Sequence, residues 1–141
     1  MENFSNLGLK IIVAINNMND IFETRFTKLW VKNEVLHCIY KPIEYLEFSV
    51  AKSIVQDRIH FQQETPYPVF CDIRGIKNSE KSARDYLAKE GSSLAKAVAI
   101  FDDRYIAEVM LRFYLQRNKP LVPTKLFKDY QEAIQFLSNY R

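Results

Sequence analysis

Apolar and polar positions change rhythm along this chain, and the changes divide it into elements. Residues 26–31 and 35–40 are dense in β-branched and aromatic side chains, and the short Lys32-Asn33-Glu34 link predicts a hairpin. In the second of these strands Val35, His37 and Ile39 fall on one face and Leu36, Cys38 and Tyr40 on the other. Both faces are largely apolar, which predicts an interior strand. Pro42 ends it. Over residues 47–62 the period lengthens: Val50, Ala51, Ile54, Val55 and Ile59 form the stripe of an amphipathic helix. Pro66 and Pro68 force extended chain leading into a compact strand over 69–73. Gly75 marks a turn, and a second helix is expected over 79–90, with Ala83, Tyr86 and Leu87 inward and Gly91 as its C-terminal cap. The continuous apolar run at 97–101 predicts a strand covered on both faces. Asp102-Asp103 then opens a third helix whose stripe is Ile106, Val109, Met110, Phe113 and Tyr114. A last strand over 122–127, flanked by Pro120 and interrupted by Pro123, belongs at a sheet edge. Asp129 caps a final helix with Tyr130, Ala133, Ile134 and Leu137 facing in.

This β-β-α-β-α-β-α-β-α order predicts an α/β fold with a mostly parallel sheet of about five strands and about four helices. Residues 23–141 are expected to form one domain. Residues 1–22 read as an N-terminal extension with few charges (Glu2, Lys10, Asp20). Within it Leu7, Leu9, Ile11, Val13 and Ile15 alternate as in a strand, while Leu7, Ile11 and Ile15 fit a helix equally well. Both readings stay open. An apolar segment of this kind needs a cover, so residues 7–15 are a candidate surface for self-association into a homo-oligomer.

Scarce residues narrow the chemistry. The three glycines, Gly8, Gly75 and Gly91, fit neither a dinucleotide fingerprint nor a phosphate-binding loop. Two cysteines, Cys38 and Cys71, and two histidines, His37 and His60, supply no zinc-site spacing, so no metal or other cofactor is expected. Cys38, Cys71 and His37 are expected in the core. A net charge of +3 is too small for a dedicated nucleic-acid binder. No apolar run reaches the 18 or so residues of a membrane span. Unpaired thiols and no leader predict a cytoplasmic protein.

In open parallel sheets functional groups gather beyond the carboxyl ends of the strands. Those ends carry Asp72 with Arg74, and Asp102 with Asp103 and Arg104. Asp72 and Asp102 form a candidate carboxylate pair for a ligand. As structural residues they would instead bond loop amides and cap a helix. The loop after Asp72 continues through Lys77, Ser79, Glu80, Lys81 and Ser82 to Arg84 and is the richest polar stretch of the core region. If Ser79 is the N-cap of the second helix, Ser82 lies in its first turn. A phosphate on either serine would meet free amides and the positive helix end, and would add a charge of roughly −1.5 to −2.

This loop and the element order together resemble the anti-sigma-factor antagonist (STAS, SpoIIAA-like) domains, over about Glu23 to Arg141. Laid on their pattern without gaps, Asp72 matches the strand-end acid and Gly75-Ile76 the turn. Glu80 then falls on an aspartate, Lys81 on a serine, Ser82 on the serine that a partner kinase phosphorylates, and Ala83 on a glycine. The stretches Tyr67-Pro68-Val69, Asp72-Ile73-Arg74-Gly75, Ala83-Arg84, Ala97-Val98-Ala99 and Pro123-Thr124-Lys125-Leu126-Phe127 look closest to a group of bacterial STAS-like proteins without an established activity. The resemblance implies four β/α units, no catalysis, and a regulatory protein partner, kinase-like or sigma-regulating. That partner would dock through Asp72, Arg74, Lys77, Glu80, Lys81 and Arg84, with Ser82 or Ser79 as phospho-acceptor. The rival expectation is a small-ligand binder or enzyme built on Asp72, Arg74, Arg84 and Asp102 beyond the strand ends.

Overall fold

The computed structural model describes residues 21–104 and 119–141. Among them lie eight strands and three helices: β1 Phe22–Glu23, β2 Thr27–Lys32, β3 Val35–Tyr40, β4 Ile43–Leu46, α1 Phe48–Gln62, β5 Tyr67–Asp72, β6 Ile76–Ser79, α2 Lys81–Glu90, β7 Ala95–Phe101, β8 Thr124–Phe127 and α3 Tyr130–Ser138. Six strands make the main sheet in the order β1-β2-β3-β5-β7-β8. β1, β2 and β3 pair antiparallel, and β3, β5, β7 and β8 run parallel. The hairpin, the interior position of β3 and the edge position of the proline-flanked β8 agree with the sequence reading. The strand count exceeds it, because β1 adds a short edge and β4 pairs with β6 in a separate two-stranded parallel sheet. The helix expected from Asp102 onward, with Ile106, Val109, Met110, Phe113 and Tyr114, and the segment at residues 7–15 both lie outside the described residues.

Strand alternation divides the core between the two faces of the sheet. On one face Leu29, Leu36, Cys38, Tyr40 and Val69 pack against Ala51 and Ile54 of α1 and Ala83 of α2. On the other Val35, Phe70, Ala97, Ala99 and Phe101 pack against Ala133 and Leu137 of α3. Ala97, Ala99 and Ala133 are fully buried, so both sides of the α3 contact are small. α1 also buries Arg58 and Gln62 toward its end, which its apolar stripe did not announce. There the Arg58 guanidinium bonds the Gln62 side-chain oxygen and, at 3.0 Å, the Gly91 carbonyl, while Gln62 donates to the carbonyls of Thr65 and Leu94. These bonds satisfy backbone carbonyls in the loops that lead into β5 and β7.

Candidate functional site

Beyond the ends of β5 and β7 the chain repeats one device. Asp72 accepts the backbone N–H of Arg74 at 3.1 Å, and its two oxygens take Arg74 Nε and Nη2 at 3.0 and 2.9 Å. Asp102 treats Arg104 in the same way, with 3.0 Å to the backbone N–H and 2.9 Å to both Nε and Nη2. The Asp-x-Arg spacing suits this, because a carboxylate readily bonds the amide two residues on and the intervening turn brings the arginine fork back. The partner carboxylates hold both guanidiniums above the usual arginine range. Asp102 is fully buried, and Arg104 reaches on to the carbonyls of Ile76 at 2.7 Å and Ile73 at 3.3 Å. It thereby fixes the turn that carries Gly75. At Gly75 a Cβ atom would stand 2.5 Å from the Tyr40 carbonyl oxygen and 2.6 Å from that of Lys41, so only glycine lets the two backbones meet. Arg74 instead lies over the Phe101 ring at 4.6 Å, with Asp103 at 3.6 Å.

A second group forms where β6 runs into α2. Glu80, not Ser79, is the N-cap of α2, and Ser79 ends β6. The parallel pairing of β4 and β6 decides this: Ser79 stands opposite Leu46, and Glu80 N–H bonds the Leu46 carbonyl at 3.1 Å. Glu80 does not cap its own helix with its side chain. Its Oε1 accepts the Phe48 N–H at the start of α1 (2.5 Å) and the Ser82 hydroxyl (3.0 Å). Neither helix has an acid in its first turn, so this one carboxylate serves two adjacent positive helix ends. Ser82 is exposed in the first turn of α2. Lys81 pairs with Asp85 at 2.7 Å, Lys77 with Glu44 at 3.1 Å, and Arg84 bonds the Ser79 carbonyl and hydroxyl at 2.6 and 3.1 Å. Tyr45, 50 % exposed, and Phe48, 42 % exposed, border this group, and Phe48 meets Tyr86 edge-to-face at 5.2 Å.

The sequence-derived candidates therefore fall into two sets. Asp72, Arg74 and Asp102 belong to the paired strand ends, while Lys77, Ser79, Glu80, Lys81, Ser82 and Arg84 line the start of α2. Sequence reasoning placed Arg104 at a strand end without giving it a role, and did not single out Tyr45 or Phe48. The repeated Asp-x-Arg spacing was the available signal for the first, and the exposed aromatics gave none.

His37 proves a satisfied core histidine. Its Nδ1 lies 3.2 Å from the Val35 carbonyl, which can only accept, so Nδ1 carries the proton and Nε2 accepts from the Tyr130 hydroxyl at 3.0 Å. Burial, with a smaller push from the Lys32 charge, lowers its pKa. Among the described residues no cluster of three or more His, Cys, Asp or Glu side chains could hold a metal ion, and no helix is long and apolar enough to cross a membrane.

Residues 29–141 match the model of a family described as "Domain of unknown function (DUF7793)". The chain belongs to the DUF7793 family. A crystal structure of an uncharacterized DUF3478-family protein with a SpoIIAA-like fold, from Shewanella loihica PV-4, resembles this DUF7793 chain with a TM-score of 0.55 at 15% identity. The likeness covers 84% of the DUF7793 chain and 99% of the other. The fold is thus SpoIIAA-like, as the loop and element order led one to expect. No curated protein matches the sequence.

Proposed function

We propose that this DUF7793 protein is a non-catalytic interaction module that docks a regulatory protein through residues 72–84. The observation that carries the reading is the Glu80 carboxylate shared by the Phe48 N–H and the Ser82 hydroxyl, with exposed Tyr45 and Phe48 beside it. Aromatic anchors within a polar rim are the usual energetic centre of a protein interface. The docking edge so includes Tyr45 and Phe48 as well as Lys77, Glu80, Lys81 and Arg84. Phosphorylation of Ser82 gates it: a phosphate there sets like charge against Glu80, competes for the same helix ends and releases Phe48. Ser79, at the end of β6 and bonded by Arg84, is the lesser acceptor. The commitment of Asp72 and Asp102 to their own arginines supports a structural rather than an acid–base role for both. A cytoplasmic setting fits the two free thiols.

The test is affinity capture of the tagged full chain from its native cells, with Tyr45→Ala/Phe48→Ala, Ser82→Ala and Ser82→Asp forms alongside. Wild type is expected to retain a partner that the double aromatic variant loses and that Ser82→Asp and Ser82→Ala hold to different extents. Phosphopeptides spanning Asp72 to Arg84 are expected to carry the group on Ser82. Identical partners for all four forms, or none for wild type, would sink the reading.

A further inference from the structure

The opposite face of the sheet holds an open recess of about 380 Å³, lined by Trp30, Lys32, His37, Ile39, Phe70, Asp72, Arg74, Phe101 and Tyr130. It arises because α3 packs mainly on β5, β7 and β8, reaches β3 at Val35 and His37, and leaves β2 on that face without a helix of the described set. Its floor is aromatic. Trp30 stacks on His37 at 5.0 Å, His37 leans on Phe70 at 5.4 Å, and Phe70 meets Phe101 at 5.5 Å and Tyr130 at 5.1 Å.

The two ends differ in charge. At one, the Arg74 cation lies on Phe101 and is already answered by Asp72 at 2.9 Å. At the other, Lys32 closes β2 and its ammonium forms no ion pair or hydrogen bond among the described residues, although it stands near enough to His37 for its charge to be felt there. Register sets these ends apart: Lys32 faces Val35, Asp72 faces Ile39, and the intervening stretch of β3 spans roughly 13 Å.

We propose that this recess binds a small organic anion with a flat aromatic body, an aryl carboxylate, whose ring lies against Trp30 and Tyr130 above the buried His37 and Phe70 and whose acid group pairs with Lys32. The volume sits at the small end of ligand sites and suits one or two rings. A bare inorganic anion would gain nothing from the aromatic floor, and an uncharged arene would leave Lys32 unanswered. The recess shares Asp72 and Arg74 with the start of the 72–84 loop, but its aromatic floor and Lys32 lie on the other side of the sheet from α1 and α2, so the proposal does not depend on docking at Tyr45, Phe48 and the start of α2.

Trp30 is the only tryptophan of the chain, so its indole N–H gives one resolved resonance in a nitrogen–proton correlation spectrum. The full chain is titrated with 2-naphthoate and with the neutral 2-naphthamide, and Lys32→Met is titrated with both. A saturable shift of the indole resonance is expected with naphthoate, about tenfold tighter than with the amide. In Lys32→Met the acid should bind no better than the amide. Absence of a saturable shift at millimolar naphthoate, or equal affinity of acid and amide for the wild type, overturns the proposal. So does a Lys32→Met variant that keeps the preference for the acid. Because the acid–amide comparison is made on the unaltered protein, the proposal stays open to refutation even if Lys32→Met folds poorly.

Discussion

At the scale of single residues the two Asp–Arg pairs look alike and differ in burial. Asp102 is fully enclosed and Asp72 8 % exposed, their arginines are 39 % and 47 % exposed, and Arg104 in addition holds two turn carbonyls. Neutralising Asp102 leaves a guanidinium in place with half its partners weakened, a cost of about 1–3 kcal/mol, tempered by the exposure of Arg104 to water. Asp102→Asn should therefore lower the urea midpoint clearly, and Asp72→Asn should lower it less, with unchanged denaturant slopes. His37 supplies a pH dependence. Its folded pKa lies below the ordinary imidazole value of about 6.5, so below that pH the unfolded chain takes up a proton that the folded chain refuses. Stability should be complete above about pH 6.5 and should erode as pH falls toward the depressed folded value. His37→Phe keeps the ring stack and removes the proton, so its stability-versus-pH curve, from urea melts, should be flatter in that window.

At the scale of elements the chain was legible wherever a period was long enough to read. The α1 and α3 stripes, the interior β3 and the Asp129 cap, which accepts the Gln131 N–H at 3.0 Å, all follow from local pattern. The β4–β6 sheet did not. Ile43–Leu46 and Ile76–Ser79 are short, half polar and far apart in sequence, and only their parallel pairing reveals them as strands. That pairing also moved the N-cap of α2 from Ser79 to Glu80. Two outcomes belong here. Gly75→Ala should cost about 1–3 kcal/mol, since the new methyl meets fixed carbonyls rather than a flexible side chain; thermal unfolding would register it. Glu80→Ala, which strips a carboxylate from two helix starts, should cost about 0.5–2 kcal/mol in the same assay.

At the scale of the whole molecule the sheet separates two unlike surfaces. One presents helix ends, an acid and a serine, the other an aromatic basin beside α3. Strand order explains why the sequence could point to the first and not to the second. The loop at residues 72–84 is contiguous, whereas the basin gathers side chains from β2, β3, β5, β7 and α3, which only the folded register brings together.

The register also sets Cys38 directly beside Cys71 on adjacent strands beneath α1, the first buried and the second only partly so. The two thiols form a natural clock for opening of that layer. A thiol-modifying reagent under native conditions should mark Cys71 well before Cys38, and the rate at Cys38 should report how often α1 lifts from the sheet. Equal rates at the two positions would mean that the layer opens as one unit with the rest of the protein.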